Sequence, residues 1–286
     1  MTRLKYTFKT DELFKLLFSK NQDLLQKLVA ELLEIEYESI EQFDLVNPEI
    51  YPEYLGDKYC KLDINMILNG QRVDLEVQVR NEGDFPERSL YYWARDFSSA
   101  LTEGADYTEL PRTIVISIVA FELFDCKEFH SEFQALEVTR HSQLTDKMCL
   151  HYYELPKLPD TTNINNTQEL WLKLFKAETE EEIHEIEALE VPIMSEAVEA
   201  YRRVLTSSEL REIERVRSKA RHDEAQAMRN IELKRDKHWQ GIVAKKDTAL
   251  EKSKSELVKK DTALAEKDAR IAELEAKLRT QNDEDK

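Results

Sequence analysis

Two acidic residues on neighbouring predicted strands could bind a divalent metal ion. Asp63 lies in the apolar run KLDINMIL, and Glu76 lies in the next segment, QRVDLEVQVR. Between them, Asn69-Gly70 is a strong signal for a two-residue hairpin turn, and both flanking segments alternate between apolar and polar residues. A two-residue turn fixes the register of the hairpin. The sequence therefore predicts that Asp63 lies directly opposite Glu76.

Opposed carboxylates on a hairpin repel each other unless something compensates their charge. A hard cation such as Mg²⁺ would do so, because it takes carboxylate oxygens as ligands and completes its octahedron with water and substrate phosphate. Such an ion could activate a water molecule and neutralise charge on a phosphoryl group. The alternative is a solvent-facing strand pair whose acidic side chains extend into water.

The surrounding pattern predicts an α/β domain. Helical periodicity covers 11–35, and a second helix is expected over 85–101, with Pro86 in its first turn. The run RTIVISIVAF at 112–121 is typical of a strand buried on both faces, and MCLHYYEL at 148–155 predicts another strand. The order of helix, hairpin, helix and strand favours a sheet covered by helices.

The last 80 or so residues predict a long helix with one apolar stripe. No proline follows Pro192, as a long helix requires. Apolar residues recur every seven positions at Val243, Leu250, Leu257, Leu264, Ile271 and Leu278. The second row that a tight coiled coil needs is mostly charged or polar. The pattern therefore predicts either a homodimer or a single helix that is exposed or depends on a partner.

Composition excludes several classes of protein. Only five glycines are present, so no Gly-rich phosphate loop and no nucleotide cofactor are expected. No apolar run is long enough to cross a membrane, which favours a soluble cytoplasmic protein. The net charge of −17 opposes binding to phosphates over most of the surface, so any DNA-binding surface must be local.

Cysteine and histidine spacing does not indicate a zinc site. Cys60, Cys126 and Cys149 are odd in number and far apart, so buried thiols are expected. The spacing of three histidines is also unlike that of zinc ligands, which favours structural or surface roles for His130, His141 and His151.

Several segments together resemble the PD-(D/E)XK nuclease family transposases, also called recombination-promoting nucleases. They are DELFKLLFSKNQDLLQKLVAELL, the NPE at 47–49, Asp63, Glu76-x-Gln78, RSLYYWARDFSSALTEGADYTEL, TIVISIVAF, the FH at 129–130 and YYELPKL at 152–158. The resemblance covers most of 1–180. It implies a restriction-endonuclease-like αβββαβ core with a mixed sheet, followed here by a long helical, coiled-coil-like extension.

The resemblance also implies site residues. Asp63 and Glu76 would bind Mg²⁺ or Mn²⁺, and Asp11 would be an additional acid. Gln78 stands where the superfamily usually has a lysine, and glutamine cannot lower the pKa of a water by its charge. In the predicted register Lys61 lies across from Gln78, so Lys61 either replaces that lysine or is a solvated lysine at the strand edge.

Contacts to DNA are expected beside these residues. Arg88, Tyr92 and Arg95 follow the hairpin at helical spacing and could contact phosphates or stack on bases, although part of this set should pack the helix on the sheet. Lys58 is a further phosphate contact.

The sequence thus predicts a Mg²⁺-dependent DNA endonuclease of the transposase or recombination-promoting type. A DNA-binding module, or an assembly protein that acts through its helical tail without cleavage, are the alternatives. The expected division is a nuclease-like domain at 1–160, an acidic helical region at 161–206 and a helical tail at 207–286.

Overall fold

The structure of the chain, a computed structural model, describes residues 2–46, 49–50, 60–61, 63–102 and 104–284. Contacts divide the chain into two units, Met1–Glu214 and Arg215–Lys286. None of the described helices is both long enough and apolar enough to span a membrane.

A mixed sheet forms the centre of the first unit. The described strands are β1 (Phe43–Val46), β2 (Glu49–Ile50), β3 (Cys60–Lys61), β4 (Ile64–Leu68), β5 (Gln71–Gln78), β6 (Thr113–Val119), β7 (His130–Gln134) and β8 (Met148–Glu154). Six of them pair in the order β1-β4-β5-β6-β8-β7, while β2 and β3 form a separate two-stranded sheet. The β5–β6 and β6–β8 pairs are parallel, and the other pairs are antiparallel. The mixed sheet with flanking helices confirms the predicted α/β fold.

The structure describes seven α-helices. They are α1 (Asp11–Lys20), α2 (Gln22–Leu32), α3 (Phe85–Ser99), α4 (Thr167–Lys176), α5 (Glu180–Glu187), α6 (Pro192–Leu205) and α7 (Ser208–Glu284). The predicted helical segment 11–35 is interrupted at Asn21, whose backbone leaves the helical region at φ −122° and ψ 67°. The Asn21 carboxamide donates to the Leu17 carbonyl at 2.7 Å, so it binds a carbonyl at the end of α1 while the chain turns into α2.

The predicted hairpin is confirmed at its turn. β4 and β5 pair in the expected register, with Leu68 opposite Gln71. Asn69 and Gly70 have φ values of 49° and 74°, the left-handed conformation that a type I′ turn requires at both positions. The Asn69 side chain also accepts hydrogen bonds from the backbone amides of Glu41 and Gln42, which ties the turn to the segment before β1.

Both faces of β6 are covered, as its apolar sequence predicts, and every residue of this strand is buried. Ile116 belongs to the core shared with α1 and α2, and Val115 packs with Phe85 of α3 on the opposite face. The Trp93 indole of α3 donates to the Thr113 carbonyl at 3.0 Å. The polar face of the hairpin therefore lies beneath α3, where Asn65 and Asp74 are buried.

The helices α4, α5 and α6 share the core of α1 and α2. Phe18 of α1 stacks on Phe175 of α4 with ring centroids 6.3 Å apart, and Phe8 stacks on Tyr201 of α6 at 4.9 Å. The predicted division into 1–160, 161–206 and 207–286 stays a prediction about domains.

The last helix begins close to the predicted position and continues without interruption. Along this helix, apolar side chains at heptad spacing are between 54% and 62% exposed: Val243, Leu250, Leu257, Leu264 and Ile271. Nothing in the described part of the chain covers this stripe.

Candidate functional site

Asp63 and Glu76 face each other at the open end of the hairpin. The Asp63 amide donates to Glu76 Oε1 at 2.8 Å, and the Val77 amide donates to Asp63 Oδ2 at 3.1 Å. Each carboxylate thus binds the backbone of the other strand beyond Ile64, where the described β4–β5 ladder begins. These reciprocal hydrogen bonds hold the two acidic side chains side by side.

Lys15 joins a third acid to this pair. Its ammonium nitrogen lies 2.6 Å from Asp11 Oδ1 and 2.7 Å from Asp63 Oδ1. Burial lowers the pKa of Lys15, but the two carboxylates outweigh burial and raise its pKa above the ordinary value. Asp11 begins α1 and Lys15 lies one turn later, so the start of this helix carries both an acid and a cation to the end of the hairpin.

Burial makes ionisation of Glu76 beside Asp63 energetically unfavourable. Glu76 is 7% exposed, and burial together with the Asp63 carboxylate raises the pKa of Glu76 to about 8. Asp74, two residues earlier on the same face of β5, is completely buried. Burial, and then the charge of Glu76, raise the pKa of Asp74 well above its ordinary value. A proton or a bound cation is therefore needed to keep these carboxyl groups together.

The structure places the other expected site residues less directly. The Gln78 carboxamide donates to the Arg80 carbonyl at 2.8 Å. Lys61 pairs with Glu49 in the separate two-stranded sheet, and within the described residues the β4–β5 ladder does not extend to it. The predicted Lys61–Gln78 pairing is therefore not part of the described ladder, and the Lys61 side chain and Lys58 lie outside the described residues.

A sequence profile described as "PD-(D/E)XK nuclease family transposase" matches residues 8–230. The chain belongs to this family. No curated protein and no solved structure matches the chain. The matched range includes the sheet, the acidic pair and the helices up to the first part of α7, so the resemblance in the sequence is confirmed.

Helix α3 carries three of the residues that the sequence predicted as DNA contacts. Arg88, Tyr92 and Arg95 are all half-buried. Arg88 forms an ion pair with Glu82 at 3.2 Å, and its guanidinium lies 5.2 Å from the centre of the Phe85 ring. The positive charge of Arg88 also lowers the pKa of Glu76, although less than burial raises it.

Lys15 and Asp74 are two residues of the acidic site that the sequence did not predict. Lys15 follows Asp11 by four residues, a spacing that brings side chains together on a helix and could have indicated the ion pair. The burial of Asp74 cannot be predicted from the sequence of β5, because that sequence does not reveal that α3 covers this face. Its buried position gives this family member an additional acid beside Glu76.

Proposed function

We propose that this chain is a DNA endonuclease that depends on Mg²⁺ or Mn²⁺, with Asp63 and Glu76 as the metal ligands and Asp11 as an additional acid. The observation that carries the proposal is the pair of hydrogen bonds that holds Asp63 and Glu76 side by side. Family membership supports a nuclease of transposase type acting on DNA.

The residues fit a hard divalent cation. Two carboxylates converge at the end of the hairpin, and burial together with the Asp63 carboxylate raises the pKa of Glu76 to about 8, so a bound cation would favour its ionised form. Oxygen ligands of this kind are those that Mg²⁺ and Mn²⁺ prefer. When bound, such an ion would activate the attacking water and neutralise charge on the phosphodiester oxygens.

The chain's own residues would position the reactants. Gln78, on the same face of β5 as Glu76, can orient a water through its carboxamide but cannot supply positive charge. Arg88 and Arg95 would hold the DNA backbone near the site, since guanidinium groups bind phosphate through charge-assisted hydrogen bonds. A few such contacts suffice locally despite the net charge of −17.

Lys15 would supply the positive charge that Gln78 lacks. Its ammonium nitrogen is 2.7 Å from Asp63 Oδ1 and therefore lies within the site. From this position it could stabilise negative charge on the attacking water or on the phosphate. Lys61 remains the alternative source of this charge.

Cleavage of supercoiled plasmid DNA with Mg²⁺ or Mn²⁺ tests the proposal. Asp63→Asn, Glu76→Gln and Lys15→Met are each expected to slow single-turnover cleavage by about 100-fold or more. Lys20→Met is the matched control, because Lys20 also lies on α1 but pairs with Glu209. Lys61→Ala should cleave at the wild-type rate if Lys15 supplies the charge.

Each outcome has a defined meaning. Equal cleavage by wild type and Asp63→Asn would refute the assigned site. DNA binding without cleavage under any metal would favour a DNA-binding module. The main argument for that alternative is Gln78, which stands where the superfamily usually has a lysine. Neither binding nor cleavage would favour an assembly protein that acts through α7.

We further propose that α7 forms a homodimer through its exposed stripe of Val243, Leu250, Leu257, Leu264 and Ile271. A parallel or antiparallel second copy would bury these side chains. The cytoplasm remains the proposed compartment, because the free thiols of Cys126 and Cys149 are typical of a reducing environment.

A further inference from the structure

A second polar cluster lies at the β7–β8 edge of the sheet. Glu132 of β7 lies directly opposite His151 of β8, and Cys149 precedes His151 by two residues on the same face. This face packs toward α1 and α2, because Cys149 belongs to their core, whereas Glu76 lies on the face beneath α3. The cluster is therefore separate from the carboxylates of the proposed nuclease site.

Three ligand atoms converge in this cluster. Cys149 Sγ lies 3.1 Å from His151 Nε2 and 3.3 Å from Glu132 Oε1, and all three atoms lie within 4.8 Å of one another. In a tetrahedral zinc site the sulfur is about 3.6 Å from each neighbouring nitrogen or oxygen, given the usual bond lengths. An outward movement of roughly 0.3–0.5 Å by these side chains would create that spacing.

Burial fixes the positions of two of the three candidate ligands. Cys149 is 0% exposed and His151 is 7% exposed, so packing fixes both side chains. Glu132 is exposed and provides the solvent side of the cluster. An ion could therefore enter past Glu132, and a water could occupy a fourth position there.

His130 supports His151 in the way that zinc sites require. His130 Nε2 lies 3.0 Å from His151 Nδ1, which leaves His151 Nε2 directed at Cys149. The His130 ring stacks on Tyr153 with centroids 4.4 Å apart and planes at 6°. A ligating histidine commonly has its other ring nitrogen bonded in this manner, which fixes its tautomer and orientation.

The charges also balance. A divalent ion would displace the proton of the Cys149 thiol, as coordinated thiols are deprotonated. One thiolate and one carboxylate would then neutralise the two positive charges of the ion.

We propose that Glu132, Cys149 and His151 bind one zinc ion, with His130 as a positioning residue and with the fourth position open to solvent. Thiolate, imidazole and carboxylate together favour zinc over the hard cations suited to Asp63 and Glu76. The ion would cross-link the edge strand β7 to β8. The spacing of the histidines along the chain does not predict this site, because the pairing of β7 with β8 brings the ligands together.

Metal titration of the chelator-treated, full-length protein tests this proposal. Co²⁺ alone should give a thiolate-to-metal charge-transfer absorption that saturates at one ion per Cys149 site, and Zn²⁺ should abolish it by replacing the Co²⁺. Cys149→Ser should remove that absorption, whereas Cys126→Ser and Cys60→Ser should retain it. Glu132→Gln should weaken Zn²⁺ binding at least tenfold, and His130→Phe should weaken it by about 10–100-fold.

The outcomes are separable from those of the nuclease proposal. Asp63→Asn and Glu76→Gln should leave the Co²⁺ absorption unchanged, whatever they do to cleavage. Absence of the absorption in the wild-type protein, or its persistence in Cys149→Ser, would overturn the zinc site and leave a hydrogen-bonded chain of Glu132, Cys149, His151 and His130. If Cys149→Ser fails to fold, Glu132→Gln still decides the question, since that side chain is exposed.

Discussion

Replacing Glu76 by glutamine is expected to stabilise the metal-free protein. The Glu76 pKa is about 8 in the folded chain against an ordinary value of 4.5, so the folded state favours the protonated form. At pH 7 the unfolded chain holds an ionised Glu76, and folding must either protonate it or bury its charge. With 1.36 kcal/mol for each pKa unit, this costs about 3 kcal/mol at pH 7 and about 1 kcal/mol at pH 5. Glutamine is neutral at both pH values and can still accept the Asp63 amide hydrogen bond.

The sign follows from proton linkage. A carboxyl group whose folded pKa is raised contributes full stability below its unfolded pKa, and this contribution is lost as the pH rises toward 8. Glu76→Gln should therefore raise the free energy of unfolding by about 3 kcal/mol at pH 7, and the gain should fall to about 1 kcal/mol at pH 5.

Urea unfolding with a chelator at the two pH values measures this difference. Glu41→Gln is the matched control, because the Glu41 side chain is exposed and its removal should change stability by less than about 0.5 kcal/mol. Mg²⁺ should raise the melting temperature of the wild type but not that of Glu76→Gln. Two results would refute the explanation that burial of the Glu76 charge destabilises the metal-free protein. One is a loss of stability in Glu76→Gln at pH 7, and the other is a gain at pH 5 as large as the gain at pH 7.

Three further predictions concern the scaffold and the tail. Gly70→Ala should destabilise the protein by about 1 kcal/mol in urea unfolding. The φ of 74° alone opposes a side chain there, because no atom lies within 4 Å of the added carbon. As a comparison, Gly241→Ala within α7 should increase the helix content measured by circular dichroism. Phe175→Ala should cost about 3–5 kcal/mol, because the Phe175 ring is fully buried among the aromatic rings of α1; a cost below about 1 kcal/mol would contradict that packing. In sedimentation experiments over a concentration series, the full-length chain should reach the mass of a dimer, and a chain ending at Glu214 should remain monomeric; equal monomeric masses would exclude dimerisation through α7.

The local sequence was sufficient to predict the centre of the sheet. The Asn69-Gly70 turn and the alternation on each side of it predict one register, which is observed. The all-apolar β6 likewise predicts a strand covered on both faces. These features depend on turn geometry and on side-chain periodicity, and both are properties of short segments.

The remaining features depend on contacts between distant segments. Strand β7, with the sequence HSEFQ, has too few apolar residues to be recognised, and it exists because β8 offers it an edge. Lys15 reaches Asp63 only once α1 packs against the hairpin. The environment of Asp74 is set by α3, so neither its burial nor its raised pKa can be inferred from β5 alone.

The segment before α1 has a consequence for the synthesis of the protein. The Leu4 amide donates to the Glu178 carbonyl at 2.8 Å, and Phe8 stacks on Tyr201. At a translation rate of about 5–20 residues per second, roughly 10–40 s separate the emergence of these partners from the ribosome. During this interval the apolar side of α1 lacks its cover from α6. The residues just before α1 are thus fixed in place only after a long stretch of the following chain has been made.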